Sequence, residues 1–192
     1  MRLLLLNSGP VATLACGEFN SPLTGADMSD TESMVQGGDN GILINSDTIA
    51  KISQSEELSH EFGTEDNSTL RVIDCEGKAI IPGFVDSHTH LLWEGDRSNE
   101  MQLRHKGLTY SDIAKSGGGI QKTVDFTRSA SIESLIKLGQ RRISRAFQFG
   151  TTTMECKSGY GLDTASELKS ISASLNAKNP NSPGLGSGKS IP

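Results

Sequence analysis

A change of pattern near residue 82 constrains this chain more than any other feature. From Phe84 on, apolar residues fall into short β-type runs that alternate with runs of helical period. Phe84–His90 reads as a strand. Ser131–Phe149 reads as a helix because Ile132, Leu135, Ile136, Ile143, Ala146 and Phe147 recur near helical spacing, with Ser131 placed to cap its start and Gly150 to end it. Thr151–Cys156 is a β-branched run, the next strand. Thr164-Ala165-Ser166-Glu167 has the form of a capping box that opens a second helix, Ala165–Ala177, whose face carries Leu168, Ile171 and Leu175. Strand, helix, strand, helix is the grammar of a parallel βα fold.

Residues 1–81 follow a different rule, that of short strands joined by turns. Leu3–Leu6 and Val11–Leu14 are apolar runs either side of an Asn-Ser-Gly-Pro turn, and Gly41–Ile44 and Thr48–Ile52 flank Asn45-Ser46-Asp47 in a hairpin-like pattern. Leu70–Ile73 and Ala79–Ile81 complete the set, while Gly17–Asn40 and Ser53–Ser68 are polar and are expected to be exposed loops. The start, Met1-Arg2-Leu3-Leu4-Leu5-Leu6, is too short an apolar run for a signal peptide and reads as a first strand. Lys178–Pro192 holds three Pro, three Gly and three Ser and is expected to be a disordered tail. The expected organisation is therefore 1–81 strand-rich, 82–177 about two βα units, and 178–192 tail, where a closed barrel takes eight such units. The chain is expected to stop early.

A net charge of −5 offers no electrostatic footprint for nucleic acid or an anionic membrane. No stretch approaches the roughly 20 apolar residues of a membrane span. Cys16, Cys75 and Cys156 are widely spaced and contain no Cys-x-x-Cys pair, which argues against a disulfide framework or structural zinc and for a reducing, cytoplasmic setting.

Chemistry concentrates in Ile81-Pro82-Gly83-Phe84-Val85-Asp86-Ser87-His88-Thr89-His90. Side chains alternate along a strand, so His88 and His90 point to one side. Two imidazoles at the C-terminal end of a barrel strand can grip one metal ion, and barrel enzymes place their sites at that end. Asp86 shares the face; it either supports a ligand histidine or caps the strand entry. His60 and His105 have no partner spacing and read as surface residues.

This segment resembles the first barrel strand of the amidohydrolase superfamily, in which a small β-sandwich precedes a metal-binding (β/α)8 barrel. Three further segments narrow the resemblance: Gly95-Asp96-Arg97, Ser116-Gly117-Gly118-Gly119-Ile120, and Glu155-Cys156-Lys157-Ser158-Gly159-Tyr160-Gly161-Leu162. At this spacing they resemble the imidazolonepropionase family, from about Leu70 to Leu175. The implied fold class is α/β: an amidohydrolase-type (β/α)8 barrel with a small β-sandwich, reduced here to the N-terminal sandwich strands and the first βα units. The implied reaction is hydrolysis of 4-imidazolone-5-propanoate to N-formimidoyl-L-glutamate in L-histidine degradation. The resemblance implies one Zn²⁺ or Fe²⁺/Fe³⁺ ion per intact subunit, with His88 and His90 as two ligands. The family's remaining ligands, a histidine and an aspartate, and a further substrate-binding histidine come from later strands. Arg97 would hold the substrate's propionate through a bidentate fork, and Tyr160 would contact the substrate. No residue here is assigned the proton-transfer role. The implied partner is this small molecule, with neither nucleic acid nor membrane, and a homodimer at full length.

Several readings stay open at this stage. Gly117–Gly119 is either a mobile cover over the substrate or a plain flexible turn, since it lacks the spacing of a P-loop or dinucleotide fingerprint. Glu155 and Lys157 either face the pocket or pair with each other or with neighbouring helices. A deaminase or dihydropyrimidinase-like amidohydrolase fits the His-x-His segment but not Gly-Asp-Arg or Ser-Gly-Tyr-Gly. A non-catalytic shortened product fits the tail.

Overall fold

The computed structural model describes residues 2–15, 23–63 and 69–178. Cys16, parts of the two polar segments 17–40 and 53–68, and the expected tail beyond residue 178 lie outside the described residues. The chain divides into two compact units, one ending at Pro82 and one beginning at Gly83.

In the first unit the order is β1 (Arg2–Ser8), β2 (Val11–Ala12), a 3-10 turn (Gly25–Ser29), α1 (Thr31–Met34), β3 (Val35–Gln36), β4 (Asn40–Asn45), β5 (Thr48–Gln54), α2 (Ser55–Phe62) and β6 (Leu70–Asp74). Four strands form a sheet in the order β5-β4-β1-β6, and β2 and β3 form a second, two-stranded one. The hairpin expected around Asn45-Ser46-Asp47 is present as antiparallel β4–β5 pairing, with Ser46 turning at a φ of 57°. By contrast, the Ala79–Ile81 run contributes only an isolated bridge from Ile80 to Val11. Leu4 on β1 lies opposite Leu43 on β4, and with Leu70 and Leu58 they make the core, against which Leu6 and Phe62 pack.

Leu58 corrects an expectation. Ser53–Ser68 was expected to be an exposed loop, yet Ser55–Phe62 is a helix whose Leu58 is fully buried. Leu58 and Phe62 sit four residues apart on one helical face, and Glu56 and Glu57 complement the positive N-terminus. Lys51 of β5 pairs with Glu57 at 2.9 Å and Glu61 at 2.8 Å, and the Asn7 backbone amide donates to Ser55 Oγ at 2.8 Å. The helix can settle on the sheet because β4 presents Gly41, where a Cβ would lie 2.9 Å from Leu58 Cδ1. The described part of 17–40 likewise holds the 3-10 turn, α1 and β3, with Met34 buried.

The second unit runs β7 (Phe84–Thr89), α3 (Ser98–His105), α4 (Tyr110–Lys115), α5 (Ile120–Ser129), α6 (Ile132–Gln148), β8 (Thr151–Cys156) and α7 (Thr164–Asn176). β7 and β8 pair in parallel. Ser131 caps α6 by accepting from the Ser134 amide at 3.1 Å, and Gly150 ends it at a φ of 92°, both as expected. The cap of α7 differs: Asp163, not Thr164, accepts from the Ser166 amide, at 2.9 Å. Glu167 is drawn off to the preceding turn instead of closing a capping box.

Leu91, Leu92, Leu135 and Ala173 form this unit's core. α6 and α7 approach closely at Gly139, where a Cβ would lie 2.8 Å from both Ala177 Cβ and Leu92 Cδ2. This contact buries Ser170, Ala173 and Ala177 of the second helix segment, leaving Leu168, Ile171 and Leu175 on an open face. Phe84 and Val85 are exposed as well.

Because Leu58 is fully enclosed, Leu58→Ala is expected to destabilise the first unit by about 3 kcal/mol, and Leu58→Met by under about 1.5 kcal/mol. Urea denaturation of the two variants checks this. Equal and small losses would show that α2 is not part of the core.

Candidate metal centre

β7 delivers its histidines to the end that it shares with β8. His88 lies on the strand and His90 one residue past it, two apart and therefore on one side. Their ring centroids are 5.6 Å apart, at an interplanar angle of 64°. Asp86 Oδ1 accepts from the His88 backbone amide at 3.2 Å, so its hydrogen bond goes to the strand itself.

Parallel pairing continues past β8, where the Lys157 amide donates to the Thr89 carbonyl at 2.8 Å. The chain then turns through Ser158–Leu162 directly against His90. A Cβ on Gly159 would lie 2.8 Å from His90 Cε1, and its φ of 139° is one that glycine tolerates and L side chains rarely adopt. Tyr160 lies edge-on to His90 at 5.3 Å, and Trp93 stands 6.3 Å from Tyr160. His88, His90, Tyr160 and Trp93 thus form one row of rings. His90 Nδ1 is buried and has no hydrogen-bond partner.

An unpartnered buried ring nitrogen beside a second imidazole suits a bound cation, because leaving it empty-handed costs about 1–3 kcal/mol. Among the described residues, however, no group of three or more His, Cys, Asp or Glu comes together. A zinc site takes three or four protein ligands. The residues present therefore fit two positions of a coordination sphere and not a whole one.

Arg97 is outside the ring row. It follows Gly95, whose φ is 92° and whose absent Cβ would lie 2.6 Å from Phe126 Cδ2, and it immediately precedes α3. Its Nη1 lies 3.9 Å from Glu100 Oε2. Glu100 is buried, and its Oε1 accepts from the Gly119 amide at 2.7 Å. The glycine segment is thereby held as a packed turn: the Gly118 amide also donates to the Ile113 carbonyl at 2.9 Å. Gly117–Gly119 was expected to be a mobile cover or a flexible turn, and it is instead a turn held by packing and hydrogen bonds. Glu155 and Lys157 pair with each other, and this hydrogen bond, aided by the Lys157 charge, holds the Glu155 carboxyl below its ordinary pKa. His60 and His105 are exposed.

The turn that carries Tyr160 is gathered by Glu167, whose Oε1 accepts from the amides of Gly161 and Leu162, both at 2.7 Å. Burial pushes the Glu167 carboxyl up, but the amides of Leu162 and Gly161, with the polar groups of Ser158 and Gly159 facing it, outweigh burial and leave the pKa lowered. Arg128 grips the same turn, donating from Nε to the Gly161 carbonyl at 2.6 Å and pairing with Asp163 at 2.9 Å. Glu100 and Arg128 were not singled out from sequence, and Glu167 was read there only as the end of a capping box. Only the spacing of Arg97 and Glu100 on one helical turn carried a local signal.

The fold and this edge define a class, and comparison with known proteins agrees with it. A profile of the amidohydrolase family matches residues 71–124. Escherichia coli guanine deaminase has a similar fold over 92% of this chain and 33% of its own, with a TM-score of 0.58 and 20% identity. The chain is a mixed α/β protein of the amidohydrolase superfamily. Its curated relatives within that superfamily include imidazolonepropionases. It is 42% identical over 171 residues to the imidazolonepropionase of Symbiobacterium thermophilum, which covers 89% of this chain and 38% of that protein. It is 54% identical over 102 residues to that of Myxococcus xanthus, covering 53% and 24%, and 43% identical over 130 residues to a probable imidazolonepropionase of Xenopus tropicalis, covering 68% and 30%. The chain thus spans well under half the length of these curated relatives. No helix among the described residues is long and apolar enough to cross a membrane.

A lowered Glu167 pKa fixes the sign of a pH effect. The stabilisation is full above the unfolded value, about 4.3 for Glu, and is lost as pH falls through the lower folded value. Glu167→Gln keeps an acceptor without the charge, so it is expected to cost roughly 1 kcal/mol at pH 7. That gap should narrow below about pH 4. Urea titrations of both proteins across pH measure it. A gap that is constant with pH would mean that the ionised carboxylate does not hold the turn.

Proposed function

We propose that this chain carries the first two metal ligands and part of the substrate surface of an imidazolonepropionase, which hydrolyses 4-imidazolone-5-propanoate to N-formimidoyl-L-glutamate in L-histidine degradation. The observation that carries this reading is the apposition of His88, His90 and Tyr160 at the shared end of β7 and β8, with His90 Nδ1 buried and unpartnered. The sequence identity to imidazolonepropionases supports it independently.

In this reading His88 and His90 hold one Zn²⁺ or iron ion. Such an ion, when bound, lowers the pKa of a water and polarises the substrate's ring carbonyl. Tyr160, braced between His90 and Trp93, presents its hydroxyl to the substrate. Arg97, kept in place beside buried Glu100, offers a planar fork to the propionate carboxylate. The proposed division is 1–81 as part of a β-sandwich, 82–177 as the first units of a (β/α)8 barrel, and 178–192 as a tail. The working protein is proposed to be cytoplasmic and a homodimer.

Two imidazoles alone bind zinc weakly and do not activate water well, so residues 1–192 by themselves are proposed to be inactive. Isothermal titration with Zn²⁺ should show weak binding that disappears in His88→Ala/His90→Ala. A ring-opening assay with added Zn²⁺ or Fe²⁺ should show no turnover. Identical titrations of the two proteins would remove the ligand assignment, and metal-dependent turnover would show that the chain is complete enough for chemistry.

A second expected outcome concerns Arg97. In a chain that also holds the later ligands, Arg97→Lys replaces a fork with a point charge and should lower kcat/KM on the order of tenfold. Steady-state kinetics that match the unaltered enzyme would make Arg97 a surface charge only.

A further inference from the structure

The turn that leaves the histidine strand is fixed by a residue 49 positions beyond Trp93. Arg142 of α6 donates from Nη1 to the carbonyls of Leu91, at 2.7 Å, and Trp93, at 3.0 Å. Its guanidinium carbon lies 3.9 Å above the centre of the Trp93 ring. Both carbonyls lie past the end of β7, in a segment that buries Leu91 and Leu92, and have left the sheet, so they need a donor from elsewhere. A planar fork over an aromatic face answers both needs at once: one nitrogen meets the two oxygens while the plane covers the indole. Burial pushes the guanidinium below its ordinary pKa, with the charge of Glu94 opposing, as a cation drawn into the fold. The next residue is held too, since the Glu94 amide donates to fully buried Thr127 at 3.0 Å and its carboxylate accepts from Ser134 at 2.9 Å.

Trp93 is the far end of the ring row, and His88 is the near end. We infer that Arg142 is a positioning residue for the candidate metal centre, clamping the Leu91–Trp93 turn so that Trp93 braces Tyr160 and Tyr160 fixes the His90 ring. This rests on the proposed metal role of His88 and His90 for its consequence, but the placement itself does not depend on that role. Arg142 touches neither histidine in this account and acts only through the rings between. A guanidinium that merely filled space would lose stability on replacement without altering the His90 environment.

The chain has one tryptophan and four histidines, so both ends of the row can be observed separately. Arg142→Met, Arg142→Lys and the control Ile143→Ala are compared with the unaltered chain by three readouts: zinc affinity by competition with a chromophoric chelator, Trp93 emission during the zinc titration, and His90 imidazole resonances without metal. Ile143→Ala removes a partly buried core residue next door and matches any general loss of stability. Replacing residues that orient metal ligands typically weakens affinity about 10–100-fold, and Arg142 acts at one remove, so a loss of roughly fivefold to tenfold is expected for Arg142→Met. In that variant the zinc-induced change in Trp93 emission should vanish and the His90 resonances should move. Arg142→Lys should fall between, because it keeps the charge and loses the fork, and Ile143→Ala should leave all three readouts unchanged. Unmoved His90 resonances in Arg142→Met, or movement of the same size in Ile143→Ala, would overturn the inference. If His88→Ala/His90→Ala binds zinc as the unaltered chain does, the metal reading falls, and the resonances still decide whether Arg142 places the ring.

Discussion

Parallel pairing of β7 with β8 is the constraint from which the site follows. It brings both strands' C-terminal ends to one edge, where an antiparallel pair would have sent them to opposite ends. Only then does the turn after β8 meet the residue after β7, so that Gly159 and Tyr160 close on His90. The alternation of side chains adds the second condition, keeping His88 and His90 on one side. The segment after β7 is anchored in the core by Leu91 and Leu92. Polar partners hold both exit segments as well: Arg142, buried Thr127 and Ser134 for the one after β7, and Glu167 and Arg128 for the one after β8. All but Ser134, which holds the Glu94 carboxylate, satisfy backbone groups that the sheet no longer pairs.

Those holding residues mark the limit of what local pattern reveals. β7, β8, α6 and the β4–β5 hairpin were legible because each has enough apolar residues at a period of about 2 or 3.6 to declare itself. α2 did not, because Leu58 and Phe62 are its only large apolar anchors among Glu, Ser and His, and the sheet supplies the rest of its stability. α3 and α4 are short and mostly polar, and were passed over for the same reason. The cap of α7 was misplaced by one residue because Asp163 and Thr164 are both good caps, and tertiary demand on Glu167 settled the choice. At the site, His88, His90 and Tyr160 stood out through spacing and resemblance. Arg142 and Glu100 could not, since a partner 49 or 19 residues away leaves no periodic trace, and Glu167 stood out only for a helix cap that it does not make.

Glu100 and the glycine turn show how a composition cue can mislead. Three consecutive glycines suggested mobility, yet Gly118 packs so tightly that a Cβ would lie 2.7 Å from Ile113 Cγ2, and Gly119 is bonded to a buried carboxylate. Here glycine serves close approach and a φ of 84° and 73° at its two outer positions, not freedom. Gly139 does the same between α6 and α7.

The core of the first unit has a consequence in time. Its last strand, β6, ends at Asp74 and pairs in parallel with β1, so Leu4, Leu43, Leu58 and Leu70 are all available once those 74 residues have left the ribosome. The Leu91–Leu92–Leu135–Ala173 core of the second unit needs about a hundred more. At roughly 5–20 residues per second, that is an interval of several seconds. During it the first unit can fold as a nascent domain while the histidine strand, already made, waits for the helix that will bring Arg142 to its exit turn.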